Sequence, residues 1–158
     1  MKKWIVAGAV LLSGCTQITN YNMAVKTPAP DSLQGIWQTS GPQSGLISEK
    51  ATGTLIITHE GDTLDCRQWQ RVIAKPGKLT VLDGDYVNIN RQLRVMPLEL
   101  DGETLNYDKL ELHRVARPTV ECQKALEAVK AQPNARVIQD IQIDSLSENA
   151  ATVAAPKA

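Results

Sequence analysis

From residue 35 onward, apolar and polar side chains alternate with a period of two, in short runs separated by turn residues. Alternation sends successive side chains to opposite faces of a strand, so Val87 and Ile89 share one face, as do Met96, Leu98 and Leu100, and Leu110 and Leu112. The pattern predicts strands near 35–40, 53–59, 63–73, 78–83, 85–91, 94–100, 103–107 and 109–115. Three of the breaks read alike: EGDTL at 60–64, DGDYV at 83–87 and DGETL at 101–105. The glycine in each supplies the positive φ of a tight hairpin, and Asp-Gly is a strong hairpin signal. Their spacings of 23 and 18 residues differ, which argues for a meander of antiparallel strands rather than a repeat. One stretch, LDCRQWQRVI at 64–73, alternates poorly because Cys66 and Trp69 fall on opposite parities, and a bulge would reconcile them.

After Pro118 the period changes. Cys122, Ala125, Leu126 and Val129 fall at i, i+3, i+4 and i+7, the apolar stripe of a helix, with Thr119 as N-cap and Glu121 in the first turn. The expected fold class is therefore mostly β, a small antiparallel meander forming a lipocalin-like or related barrel, with one C-terminal α-helix. Gly35-Ile36-Trp37 resembles the G-x-W of the first strand in lipocalin-like barrels, where the Trp closes one end. A core Trp outside that family reads the same way. Arg114 is available to stack on Trp37 as in that family, or to lie on the surface as most arginines do.

The N-terminus follows a different rule. Lys2 and Lys3 precede an apolar run from Trp4 to Leu12, far below the ~20 residues that span a bilayer, and the small residues Ser13 and Gly14 come next. Leu12-Ser13-Gly14-Cys15 resembles the lipobox of bacterial lipoproteins, which implies cleavage before Cys15 and lipid attachment on its thiol. Two or more acyl chains make a stable anchor where one gives marginal binding. Thr16, rather than aspartate, follows the cysteine, and the resemblance then implies sorting to the outer membrane with the domain facing the periplasm.

Without the leader the chain keeps 15 basic and 17 acidic side chains, which gives no electrostatic case for nucleic acid. Only six residues are aromatic, none of them Phe, which argues against a barrel lined with rings to stack a flat ligand. The expected organisation is a signal peptide over 1–14, a lipidated, Pro-containing tether over 15–32, a β-rich domain over 33–132 and a flexible tail over 133–158. With Cys15 acylated, Cys66 and Cys122 remain, and an oxidising compartment reads them as one disulfide pinning the helix across the barrel. A metal site made with His59 and His113 lacks the C-x-x-C or H-x-x-x-H spacing that would support it, and no metal or other cofactor is expected.

No catalytic signature emerges. G-x-S-x-G is missing, because GPQSG at 41–45 places Ser44 one position late, and His113 is out of step with Leu110 and Leu112 and so faces solvent. Asp62, Asp65, Asp83 and Asp85 sit at or beside expected turns, where carboxylates cap backbone N–H groups. The densest polar and aromatic stretch is Asp65-Cys66-Arg67-Gln68-Trp69-Gln70-Arg71. Arg and Trp are hot-spot types at protein interfaces, so Arg67, Trp69 and Arg71 are the candidate partner-binding residues, against a plain half-buried strand with solvated polar groups.

The stretches NYN…VKTPAP, GIWQTSGPQSGLIS and EGDTLDCRQWQRVIAKPGKL, with RPTVEC before the helix, resemble the YedD-like lipoproteins of enteric bacteria. The similarity runs from Cys15 to about Gln132 and leaves out the tail. It implies an outer-membrane or periplasm-facing lipoprotein, carries over the lipidated Cys15 and carries over nothing catalytic. The leading expectation is a non-enzymatic envelope module that binds another protein or a surface polymer. The alternatives are a periplasmic carrier with a small apolar ligand in its barrel, and a lysozyme-inhibitor-like protein suggested by fold analogy.

Overall fold

A computed structural model describes residues 18–132. The expected leader, Cys15 and the tail over 133–158 lie outside the described residues. Eight strands follow one another: β1 (Gly35–Thr39), β2 (Thr52–Ile57), β3 (Asp62–Gln68), β4 (Val72–Leu82), β5 (Asp85–Asn90), β6 (Val95–Asp101), β7 (Thr104–Tyr107) and β8 (Leu110–Val115). Each pairs antiparallel with its neighbour in sequence, and β8 returns to β1 with Arg114 opposite Trp37, so the meander closes into a barrel without an open edge along that seam. Helix α1 (Val120–Lys130) follows, with Thr119 accepting a hydrogen bond from the Cys122 amide at 3.1 Å.

Two apolar clusters lie on either side of the barrel wall. The inner one holds Trp37, Leu55, Leu79, Leu105, Tyr107 and Leu112, all at most 2% exposed. The outer one holds Ile36, Ile56, Leu64 and Cys66 on the strands, against Cys122 and Leu126 of α1. Alternation alone produces this split, since Ile36 and Ile56 are the immediate neighbours of inward Trp37 and Leu55. A disulfide joins Cys66 to Cys122, with Cα atoms 6.0 Å apart, and fixes α1 on the outer face of β3 and β4. The helix stripe and the bond both follow the sequence reading.

Three expectations need correction. The strand expected at 63–73 is two strands: β3 ends at Gln68, the chain reverses over 69–71, and the Trp69 amide donates to the Arg71 carbonyl at 3.1 Å. The opposite parities of Cys66 and Trp69 reflect this turn, not a bulge. The break expected between 73 and 78 is absent, because Pro76 and Gly77 lie inside the eleven-residue β4. Pairing of β4 with β5 begins only at Gly77 opposite Asn90, so Pro76 stands on an edge where its missing N–H costs nothing. Gly77 itself is required: a Cβ there would fall 2.7 Å from the Asn88 side-chain oxygen and from the Ile89 carbonyl.

The third correction concerns the tether. Residues 24–32 pack along the barrel, with Ala24 and Ala29 buried. Thr27 donates to the Leu79 carbonyl and Ala29 to the His59 carbonyl, both at 2.9 Å, and Lys26 pairs with buried Asp62 at 3.2 Å. Gly61, at φ 89°, lies under this strap, and a side chain there would overlap the Thr27 carbonyl. Small apolar residues among prolines therefore mark a strap that clips onto the wall, not a free linker.

Candidate functional site at the mouth of the barrel

The strap and the hairpins at 58–61, 83–84 and 102–103 close one end of the barrel, the base. Trp37 seals it from within. Its indole N–H donates to the Leu33 carbonyl at 2.9 Å, and the Arg114 guanidinium stacks 4.4 Å from the ring centroid. Arg114 also donates to the carbonyls of Asp31, Ser32 and Gln34, tying β8 to the strap. Gly35, Trp37 and Arg114 thus form the arrangement that the lipocalin resemblance implies. Gln34 reaches His59 Nδ1 at 3.0 Å, while His113 is exposed, as its parity indicates.

The mouth lies at the other end, framed by the loop over 40–51 and the turns at 69–71, 91–94 and 108–109. Register decides what faces inward here. Trp37 stands opposite Leu55 and Leu55 opposite Asp65, so Asp65 shares the inner face. Leu79 likewise stands opposite Asn88, and Asn88 opposite Met96. The apolar pair Val87 and Ile89 therefore points outward, and β5 presents asparagine to the interior.

These inward polar groups form one chain of hydrogen bonds. Thr63 Oγ1 donates to Asn88 at 2.6 Å, Asn88 Nδ2 donates to the Tyr107 hydroxyl at 2.8 Å, and that hydroxyl donates to Asp65 at 2.8 Å. Arg67 Nε donates to the other Asp65 oxygen at 2.7 Å, and Arg67 Nη2 reaches Asp108 at 3.0 Å. Asp108 also binds Arg94, and the Arg67 guanidinium lies 5.8 Å from the Tyr107 ring centroid. Burial, with the charge of Asp65, drives the Tyr107 phenol far above its ordinary pKa, so it stays protonated and acts as a donor. Burial opposes the Arg67 charge, but its hydrogen bond to Asp65 and the surrounding oxygens outweigh that and leave its pKa raised. Every carboxylate here is engaged. The chain works as a polar plug above the apolar core, with no free base poised over a nucleophile.

Beside the plug a groove of about 680 Å³ opens between the 40–51 loop and the β3–β4 hairpin. Leu46, Ile47, Trp69 and Ile73 give it apolar walls, with Arg67 and Arg71 at its edge. Ile47 is 79% exposed, Trp69 44% and Ile73 41%, a concentration of apolar surface that a soluble domain seldom leaves bare.

The three sequence-picked residues have different fates. Trp69 and Arg71 stand together on the hairpin tip, as a contact patch requires. Arg67, two positions before Trp69 on β3, turns inward and is held by Asp65 and Asp108, so it supports the patch from beneath. Asp62 and Asp65, read from sequence as turn caps, are a strap ion pair and a plug acceptor. Sequence reasoning missed Tyr107, Asn88 and Asp108. The inner parity of β7 and the polar alternation of NIN at 88–90 were the available signals.

Comparison with known proteins agrees with this architecture. A family profile described as "Bacterial lipocalin LPS transport optimiser YedD" matches residues 18–126. "Uncharacterized lipoprotein YedD" of Escherichia coli K12 is 56% identical over 128 residues, covering 80% of this chain and 93% of the relative. Its namesake in Salmonella typhimurium LT2 is also 56% identical over 128 residues, covering 80% and 91%. The crystal structure of a lipoprotein YedD from Klebsiella pneumoniae superposes with a TM-score of 0.69 at 50% identity, over 72% of this chain and 97% of that one. With the barrel, the Trp–Arg seal and the strap in place, these matches identify the chain as a member of the YedD family of lipocalin-like lipoproteins.

Proposed function

We propose that this chain is a non-enzymatic accessory of LPS transport, held at the outer membrane through Cys15, that works by binding another envelope protein at the groove of its mouth. The family description supplies the process. One structural observation carries the mode of action: the interior is occupied by the protein's own side chains. Trp37, Leu55, Leu79, Leu105 and Tyr107 fill the lower barrel at 0–2% exposure, and the plug of Asp65, Asn88 and Tyr107 lies above them. A carrier of a small apolar ligand needs that volume empty. The bare apolar surface is instead at the rim, where Trp69 and Arg71 are the residue types that dominate protein interfaces.

The test uses the lipidated chain in cells, with a photocrosslinking side chain at Trp69 and, separately, at Val81 beside the base. Crosslinks from the mouth, but not the base, to a protein required for LPS transport are the expected result. The Trp69→Ala, Arg71→Ala double variant should lose that product and slow LPS delivery, while its melting temperature stays near the parent value. A stoichiometric apolar adduct, released on unfolding in native mass spectrometry, would replace this reading with the carrier.

A further inference from the structure

The wall that bears the strap differs from the rest of the barrel surface. Its exposed apolar residues include Met23 at 73%, just ahead of the strap, and Val25 at 75% on it, with Leu93 on the β5–β6 turn and Val95 at the start of β6, both at 38%. Leu93 is held at the tip of that turn with φ 60°, a conformation unfavourable for a leucine, and its amide donates to the Asn90 carbonyl at 3.0 Å. Lys78 Nζ lies 4.2 Å from the Tyr21 ring centroid and Arg91 is exposed on the turn beside Leu93, while Lys26 and Arg94 are paired with Asp62 and Asp108.

Tyr21 marks where the described chain reaches this wall. Burial raises its phenol, and the positive charge of Arg91 opposes that rise. Lys78 is pushed below its ordinary value by burial and, secondarily, by the positive charge of Lys26. At the base the charge is reversed, with Glu60, Asp83, Asp85, Asp101 and Glu103 exposed on its hairpins. A net charge close to zero thus conceals a separation of sign across the molecule.

The length of chain ahead of Tyr21 fixes what this wall can meet. Cys15 precedes it by six residues, which extend to ~20 Å at most. Once Cys15 carries lipid, the wall and its turn cannot leave the neighbourhood of the bilayer.

We propose that the strap wall and the β5–β6 turn form a membrane-contacting face, which rests on the anionic headgroups of the bilayer that holds the anchor. The cations attract the surface within a Debye length, and Leu93, Val95, Met23 and Val25 enter the headgroup region. The acidic β6–β7 hairpin, across the barrel from the strap, is repelled and turns toward the periplasm. The groove between the 40–51 loop and the β3–β4 hairpin, on a different part of the mouth, stays available, so this inference rests on the Cys15 anchor proposed above and not on the reading of the groove.

Brominated lipids test it on the lipidated mature chain, reconstituted in vesicles. The mature chain contains Trp37, which is buried, and Trp69. Trp69→Phe with Leu93→Trp places a reporter on the turn, and Trp69→Phe with Glu103→Trp places one by the base on the β6–β7 hairpin, across the barrel from the strap. Strong quenching of the Leu93→Trp reporter in phosphatidylglycerol vesicles is expected, falling several-fold in phosphatidylcholine and on adding Arg91→Glu. The base reporter should remain unquenched. Absence of quenching at the turn, equal quenching at turn and base, or equal quenching in both lipids overturns the proposal. Should Leu93→Trp disturb folding, Val95→Trp repeats the measurement. A protein crosslink from position 93 in cells, without quenching in vesicles, would assign this face to a protein instead.

Discussion

Asp108 and Lys109 turn the chain between β7 and β8 with φ of 49° and 65°, values that glycine would adopt more readily. The Asp108 carboxylate accepts from both Arg67 and Arg94, so that contact offsets the cost of the turn, and only the folded barrel supplies those partners. Tyr107 shows the same dependence. Nothing in TLNY distinguishes a tyrosine at the surface from one that bridges two buried polar groups. Tyr107→Phe should leave Asp65 and Asn88 each short of a partner and cost about 1–3 kcal/mol in urea unfolding. The phenol also predicts a pH dependence. Its folded pKa is raised, so its contribution is fully present below the ordinary value of 10.0 and lost as pH climbs past it. Melting temperatures measured from pH 8 to 11 should fall more steeply for the parent than for Tyr107→Phe.

Among the elements, the strands announced by Asp-Gly turns were legible, because a glycine at positive φ is a local requirement. The β3–β4 hairpin was not. Its turn, Trp69-Gln70-Arg71, contains no glycine, asparagine or aspartate, and Pro76-Gly77 looked like a turn while forming part of a strand. What stabilises that hairpin is the seven-residue ladder of β3 with β4, a pairing that no local signal encodes. The helix was readable from its stripe, and its position from the two cysteines. Replacing Cys66 and Cys122 by alanine opens a covalent loop with a separation of 56 residues, and should cost about 4 kcal/mol on the chain-entropy account. Far-UV dichroism should show the barrel persisting at low denaturant, with α1 the first element to gain amide exchange.

For the whole molecule, closure governs. The β1–β8 pairing joins residues far apart in sequence, and it turns eight short strands into an inside and an outside. Gly77 lies where β4 passes from the protruding hairpin into the closed wall, against Thr63, Asn88 and Ile89. Gly77→Ala must push those groups apart and should lower stability by about 1–3 kcal/mol, with loss of cooperativity in the thermal transition. An unchanged melting curve would show that the wall can give there. Closure also separates the charges: the hairpins of one end carry acids, and the loops of the other carry Lys50, Arg71, Arg91, Arg94 and Lys109 against Glu49 and Asp108. A count of 17 basic and 17 acidic residues cannot reveal this, since the separation depends on which turns share an end.

By itself the sequence determined the class of fold, the strands bounded by glycine turns, the capped helix, the Cys66–Cys122 pair and membership of a lipoprotein family. Each of these rests on nearest-neighbour chemistry: a period of two or of 3.6, a positive φ, a cap, or a contiguous motif. Tertiary structure alone decided that Arg67 points inward while Trp69 and Arg71 do not, that Val87 and Ile89 face outward, and that the strap lies against the wall. The physical reason is register. A shift of one residue between strands exchanges their faces, and register is set by pairing and closure between residues that are distant along the chain.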